Sequence, residues 1–196
     1  MEQSRRLIVG ISGASGAPIA IEVLKALQET NIETHLVLTR GAALTIPQET
    51  DCTVEQVRAL ADACYDEDAI GAAIASGSFR TMGMLVVPCS MKTAAGICSG
   101  YSDNLLLRAA DVTLKERRLL VLCARESPLS PVHLRNLYEL ARMGAAIVPP
   151  MASYYSRPQT AQDITRQIAG RLLDAFGIDY APLYRWEGMP DDREAR

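Results

Sequence analysis

Val9-Gly10-Ile11-Ser12-Gly13-Ala14-Ser15-Gly16-Ala17-Pro18 joins the apolar run "RLIVGI" to "IAIEVLKALQE", whose apolar residues recur at helical spacing. A strand, a turn of small residues and a helix start place free backbone N–H groups where an anion can be held. Gly10, Gly13 and Gly16 recur every third residue, which is not the Gly-x-Gly-x-x-Gly dinucleotide fingerprint. That fingerprint also needs an acidic residue at the end of the second strand to hold a ribose hydroxyl, and here "IETHLVLT" runs into Thr39 and Arg40. A nicotinamide dinucleotide is therefore a poor fit. Small residues still let the backbone approach an anion or a flat ring, and Ser15 adds a hydroxyl at the helix start. The plainer alternative is a tight turn in which Ser15 only caps the helix.

Outward from this turn, apolar runs alternate with helical segments. The expected helix over residues 17–29 is followed by the strand "IETHLVLT" and a short helix in "TVEQVRALAD". "AIGAAIASGS" has no clear assignment. "MGMLVVP" is a buried strand, "KTAAGICSG" and "NLLLRAADVTLKER" are helical, and "RLLVLCA" is a strand. Pro131 suits the first turn of the helix "VHLRNLYELARMG" and Gly144 its end. "AAIVPP" is the last strand, "MASYYSRPQT" a loop, and "AQDITRQIAGRLLDAFG" a final helix ended by Gly177. Strands alternating with helices of this length predict an α/β fold, a parallel sheet with helices on both faces. There is no linker or internal repeat, so 1–196 is expected to be one domain. The tail "MPDDREAR" lacks apolar anchors, and fraying is expected over 188–196.

Bulk properties exclude several classes. A net charge of −3 gives no basic surface for general nucleic-acid binding. No apolar run approaches the length of a membrane-spanning helix, and "MEQSRRLIVG" does not read as a signal peptide, so a cytoplasmic protein is expected. The five cysteines are odd in number and form no Cys-x-x-Cys pair, which predicts reduced, mostly buried thiols rather than a zinc or dithiol site. With only His35 and His133, and His35 inside a strand, a histidine metal site is not expected.

Ligands of open parallel sheets lie beyond the carboxyl ends of the strands, so the residues that follow each strand belong together. Ser90, Lys92 and Thr93 bring two hydroxyls and a cation to a helix start, either a phosphate or polar-ring site or an N-cap with surface residues. Arg125 and Glu126 follow "RLLVLCA" directly; they are a solvated ion pair or part of a site, and their position favours the site. Tyr154, Tyr155 and Arg157 follow "AAIVPP". Arg108, Asp111 and Lys115 share one helix face, which by itself reads as a salt-bridged exposed surface. Arg171, among apolar neighbours, is a snorkelling edge residue or a buried anion ligand. Glu49 is a lone carboxylate in an expected loop. These residues suit a phosphorylated ligand, with a carboxylate for proton transfer.

Together they resemble the UbiX-like flavin prenyltransferases, a family long described as phenolic acid decarboxylase subunits. The matching pieces are "GISGASGAP", "ETD" at Glu49–Asp51, "VPCSMKTAAGICSG", "DNLLLRAADVTLKERRLLVLCARESPLSPVHLRNL", "GAAIVPP", "YYSRPQT" and "RWEG". They span nearly the whole chain in the family's order, and "SMKTAAGICSGYSDNLLLRAAD" is closer to the decarboxylase-operon branch than to the ubiquinone branch.

The resemblance implies an FMN-binding, flavodoxin-like or Rossmann-like three-layer sandwich, assembled as a homododecamer with sites at subunit junctions. It implies transfer of a dimethylallyl group from dimethylallyl monophosphate to N5 and C6 of reduced FMN, without a metal. The product, prenylated FMN, serves a UbiD-type aromatic acid decarboxylase. Carried over by position, Gly13, Ala14, Ser15, Thr39, Ser90, Met91, Lys92, Thr93 and Arg125 contact FMN. Tyr155 and Arg171 bind the donor's phosphate, Arg108 and Lys115 add positive charge, and Trp186 walls the prenyl pocket. Ser15, Glu49 and Glu126 form the catalytic group, the two carboxylates managing protons. Where Thr39 stands the family often has serine, which keeps the hydroxyl.

Two rivals share features with this reading. Flavin-dependent decarboxylases of peptidyl or pantothenoyl cysteine need an active-site histidine and a "PASANT"-like segment, where this chain has "VPCSMKTA". A non-catalytic FMN carrier or accessory subunit of a phenolic acid decarboxylase has no use for the retained Glu49, Lys115, Arg125, Glu126, Tyr155 and Arg171.

Overall fold

Every residue of "GMLVVPC", Gly83–Cys89, is buried, as an apolar run without alternation requires of a strand covered on both faces. The computed structural model describes residues 5–189, so the expectation of a frayed tail lies outside the described residues from 190 onward. The strands are β1 (Arg6–Ile11), β2 (Glu33–Leu38), β3 (Ala63–Asp66), β4 (Gly83–Cys89), β5 (Leu119–Ala124) and β6 (Ala146–Ile147). All pair in parallel, in the order β3-β2-β1-β4-β5-β6. Without the short edge strand β3, the remaining five follow the flavodoxin order; with it, the order is that of the doubly wound dinucleotide folds. Either way the order reverses between β1 and β4, and the crevice opens at their carboxyl ends.

Successive side chains leave a strand on opposite faces, so the sheet divides the core in two. Leu7, Val9, Ile11, Leu36, Leu38, Leu85, Val87 and Val121 face one layer, formed by α1 (Ala17–Gln28) and α7 (Ala161–Asp174). The helices α2 (Arg40–Glu49) and α3 (Val54–Arg58) close its edge with Ala42, Ile46 and Val57. Ile8, Val37, Met84, Val86, Leu120 and Leu122 face the other layer, formed by α4 (Met91–Ser99), α5 (Leu105–Lys115) and α6 (Pro131–Arg142). Leu106 of α5 is fully buried and packs over Gly10; truncating such a side chain to alanine costs about 2–5 kcal/mol.

The three-layer α/β sandwich is the one the sequence predicts, with local corrections. Residues 40–49 form α2 despite Pro47, so Glu49 ends a helix rather than lying in a loop. Its periodicity is faint because only Ala42 and Ile46 are buried. The strand β3 escapes the pattern because it is short, half-buried and paired on one side only. "AIGAAIASGS" contains a single 3₁₀ turn, Ala73–Ala75, whose Ile74 enters the second core. β6 is shorter than "AAIVPP", since the two prolines that follow have no N–H to donate to a ladder. All five cysteines are free, but only Cys89 and Cys123 are buried; the other three are half-buried. Burial pushes both buried thiols up, Cys123 to about 12.

Candidate active site

The carboxyl ends of the strands are fastened to one another by main-chain bonds. Ser12 N–H donates to Pro88 C=O, Thr39 N–H to Ile11 C=O, and Arg125 N–H to Cys89 C=O, each at 3.0–3.2 Å. Ser12 is the central link: its buried hydroxyl donates to Pro88 C=O at 2.8 Å and accepts from Ser90 N–H at 2.8 Å. It thus ties β1 to the start of α4 across the switch point.

Beyond Ser12, Gly13, Ala14 and Ser15 form an open turn, with Gly13 and Ser15 exposed. The turn lies against the start of α2 so closely that a Cβ on Gly13 would come within 2.9 Å of Gly41 Cα. Thr39 caps α2, accepting from Ala42 N–H at 3.1 Å and donating to Ile11 C=O at 3.3 Å.

Ser15 does not cap α1. The N-cap is Gly16 at φ 130, a conformation that favours glycine, and the capping acceptor comes from elsewhere in the chain. Glu49 Oε2 accepts from Gly16 N–H at 2.8 Å and from Ala17 N–H at 2.9 Å. Burial opposes ionisation of Glu49. The bonds from Gly16 N–H, the Ser15 hydroxyl and Ala17 N–H, with the charge of Arg125, outweigh it and hold the carboxyl below its ordinary range. Ser15, Glu49 and Arg125 are therefore brought together.

The start of α4 is built by Ser90, whose hydroxyl accepts from Thr93 N–H at 3.2 Å and bonds Thr93 Oγ1 at 3.0 Å. Lys92 is exposed, whereas Met91 turns its side chain into the second core. Arg125 and Glu126 do not pair; Glu126 Oε1 accepts from Ser127 N–H at 2.9 Å, and both residues are exposed.

A second cluster lies against α7. The ring of Tyr155 is 5.8 Å from those of Tyr184 and Trp186, the latter edge-on. Arg171 is exposed rather than buried and pairs with Asp174 at 3.1 Å; the other oxygen of Asp174 takes Arg185 at 2.7 Å. Gln167, one turn before Arg171, bonds Tyr184 and Tyr155.

The third group lies on α5, across the sheet from α7. Arg108 pairs with Asp111 at 2.7 Å and donates to Ala75 C=O, whereas Lys115 pairs with Glu116 rather than Asp111. α5 belongs to the sheet face opposite α7, so one protomer does not bring Arg108 and Lys115 to Arg171. Ser12, Gly41 and Gln167 were not singled out by the sequence. Ser12 lies within the glycine-rich turn and Gly41 directly after the second strand, while the only signal for Gln167 is an amide among the apolar residues of the last helix. Among the described residues no three His, Cys, Asp or Glu side chains gather closely enough to hold a metal ion.

Residues 1–173 match the Flavoprotein family. A probable UbiX-like flavin prenyltransferase of Streptomyces sp. (strain D7) is 52% identical over 191 residues, covering 97% of this chain and 96% of that protein. The crystal structure of a dodecameric FMN-dependent UbiX-like decarboxylase from Escherichia coli O157:H7 superposes with a TM-score of 0.92 at 52% identity, over 93% of this chain and 100% of that one. That of AnUbiX (PadA1) in complex with FMN and dimethylallyl pyrophosphate gives 0.94 at 49% identity, over 96% and 100%. With the family match over most of the chain and that identity over nearly its whole length, the chain belongs to the Flavoprotein family and, within it, to the UbiX-like flavin prenyltransferases.

Proposed function

We infer that this chain is a flavin prenyltransferase that joins the dimethylallyl group of dimethylallyl monophosphate to N5 and C6 of reduced FMN, making prenylated FMN for a UbiD-type aromatic acid decarboxylase. The observation that carries the reading is a second cluster in addition to the strand-end turn. An anion-binding turn with an ionised carboxylate lies at the switch point, and an arginine–tyrosine cluster with aromatic walls lies on α7. A carrier of FMN needs only the first.

The strand-end residues fit FMN. Gly13, Ala14 and Ser15 offer open backbone and a hydroxyl at a helix start, Thr39, Ser90 and Thr93 add hydroxyls, and Lys92 and Arg125 add charge. Reduced FMN supplies the nucleophilic ring positions. The chain's own residues manage charge and protons. Departure of phosphate from an allylic carbon leaves an anion and a delocalised cation. Arg171 and Tyr155 meet the anion, the work a metal would otherwise do. The rings of Tyr155, Tyr184 and Trp186 face the cation. Glu49, ionised at neutral pH and hydrogen-bonded to Ser15, is available as a proton acceptor at the turn, and Glu126 is a second carboxylate beside Arg125.

Arg108 and Lys115 reach the donor's phosphate only from another copy of the chain, which accords with a homododecamer having sites at subunit junctions. We place the protein in the cytoplasm as one FMN-binding domain over 1–196. Free cysteines support this, as does the lack, among the described residues, of any helix long and apolar enough to cross a membrane.

The test is anaerobic incubation with reduced FMN and dimethylallyl monophosphate, then the mass of the extracted flavin. A gain of one five-carbon prenyl unit is expected. Unchanged flavin with both the monophosphate and the pyrophosphate, from protein that binds FMN, makes the chain a flavin carrier instead.

A further inference from the structure

Gln167 is the one amide among the buried polar side chains of the described residues, at 4% exposure in the middle of α7. Burying an amide is costly unless its polar atoms are partnered, and here they are. Its Oε1 accepts from Tyr184 N–H at 3.0 Å, and its Nε2 donates to Tyr184 C=O at 2.9 Å and to the Tyr155 hydroxyl oxygen at 3.4 Å. The main chain of Tyr184 dictates which way the amide faces, because the reverse orientation would oppose two carbonyls and two N–H groups. The nitrogen is therefore turned toward Tyr155. The Tyr155 oxygen is an acceptor in this bond, which leaves its own hydrogen available to another group.

The same amide seats the chain that carries the aromatic wall. One turn along the helix, a Cβ on Gly170 would lie 2.8 Å from Leu183 Cβ, so residues 180–183 rest directly on α7. Beyond that contact, the two main-chain bonds from Gln167 hold Tyr184, and the Tyr184 and Trp186 rings stand 5.8 Å from Tyr155. Arg171 lies four residues after Gln167, hence on the same side of the helix.

We propose that Gln167 is a positioning residue of the prenyl-donor site: it orients Tyr155 so that its hydroxyl donates to the donor's phosphate, and it sets the Tyr184–Trp186 wall beside it. The proposal rests on the flavin prenyltransferase reading and adds a residue that need not touch either substrate. Its specificity is for an allylic phosphate, an anion joined to a short unsaturated chain, since one amide governs both the anion ligand and the aromatic surface.

The test compares the whole protein with Gln167→Glu and Gln167→Leu. Glu has the same size and keeps an acceptor for Tyr184 N–H but loses the donor to both Tyr184 C=O and Tyr155; Leu loses donor and acceptor alike. FMN affinity, read by flavin fluorescence, is the control for folding and should stay within about 2-fold, since no strand-end residue is changed. Dimethylallyl monophosphate binding to the protein loaded with oxidised FMN, read by calorimetry, should weaken about 10-fold or more in both variants, as should KM for turnover. This is the size expected when an anion loses one oriented hydrogen bond. Trp186 is the only tryptophan, so its emission and acrylamide quenching report the wall directly and should change in Gln167→Leu. If the wild type prenylates FMN and a variant that binds FMN normally keeps wild-type donor affinity and KM, the proposal is overturned. That holds even if Trp186 emission shifts, because the role would then be structural only. A wild type that binds FMN but prenylates it with neither donor overturns the prenyltransferase reading instead.

Discussion

Glu49, the last residue of α2, caps α1 through one carboxylate oxygen that takes both Gly16 N–H at 2.8 Å and Ala17 N–H at 2.9 Å. A carboxylate so placed meets the positive end of the helix dipole and also faces the glycine-rich turn.

Glu49→Gln keeps an acceptor for the cap but loses the charge. FMN binding should survive, while prenylation falls about 100-fold or more, the usual scale for a lost acid–base group. Full activity in this variant, measured by product mass and rate, would remove Glu49 from the proton chemistry. Stability should fall by about 0.3–1 kcal/mol at neutral pH. Because the folded carboxyl is held below its unfolded value, that difference is present above about pH 4.3 and vanishes as pH falls through the folded value. Urea unfolding of both proteins across acid pH measures it.

Gly13→Ala should be more severe than any hydroxyl deletion in the turn. The new methyl would meet the Gly41 main chain, 2.9 Å from its Cα, with no flexible side chain to yield. A loss of about 1–3 kcal/mol is expected, together with FMN retention. Thermal unfolding and the flavin content of purified protein give the readout; wild-type values for both would show that the α2 start moves aside freely.

In the proposed role of Arg171 as a charged partner of the phosphate, Arg171→Ala should raise the donor's KM by about 10-fold or more with FMN affinity unchanged. Asp174 keeps Arg185, so the fold should tolerate the change. Lys115→Ala should weaken the same step, though Lys115 lies on the other sheet face. Reassembled as mixed oligomers in equal amounts, two variants each lacking one cation should recover about a quarter of the intact sites if each site draws on two copies. No recovery would place both cations on one chain.

Buried His35 should make stability depend on pH. Its ring lies between Tyr65 Oη at 2.9 Å and Glu33 Oε1 at 3.1 Å, with Phe79 edge-on and Arg6 over the Phe79 ring. Burial pushes its pKa down, and the charge of Glu33 offsets this only in part. The unfolded chain therefore takes up a proton near pH 6.5 that the folded chain refuses until lower pH. Stability should be full above that value and decline as pH drops through it, down to the folded pKa. His35→Leu should flatten this part of the pH profile in urea titrations; an unchanged slope would assign the decline to other groups.

Much of the architecture was legible because burial on both faces leaves an unmistakable mark. Runs such as "MLVVP" and "RLLVLCA" have no other stable place than inner parallel strands. The marginal elements were illegible for the same reason. α2 buries two side chains and β3 pairs on one edge, so neither writes a pattern into the chain. For the candidate site, position after a strand singled out Ser15, Ser90, Arg125 and Tyr155, while Glu49 and Arg171 stood out only as a lone carboxylate and a charge among apolar residues, and their expected roles came from the family resemblance.

Composition, periodicity and strand-end residues thus determined the α/β sandwich and its parallel sheet, and led to the expectation of a phosphorylated ligand beyond the strand ends. Tertiary structure decided what the polar side chains do. Whether Glu49 caps a helix 32 residues away, whether Arg108 and Arg171 share a protomer face, and which way the Gln167 amide points depend on contacts distant in sequence. Hydrogen bonds and charges act over a few ångströms of space, and only the folded chain sets that distance.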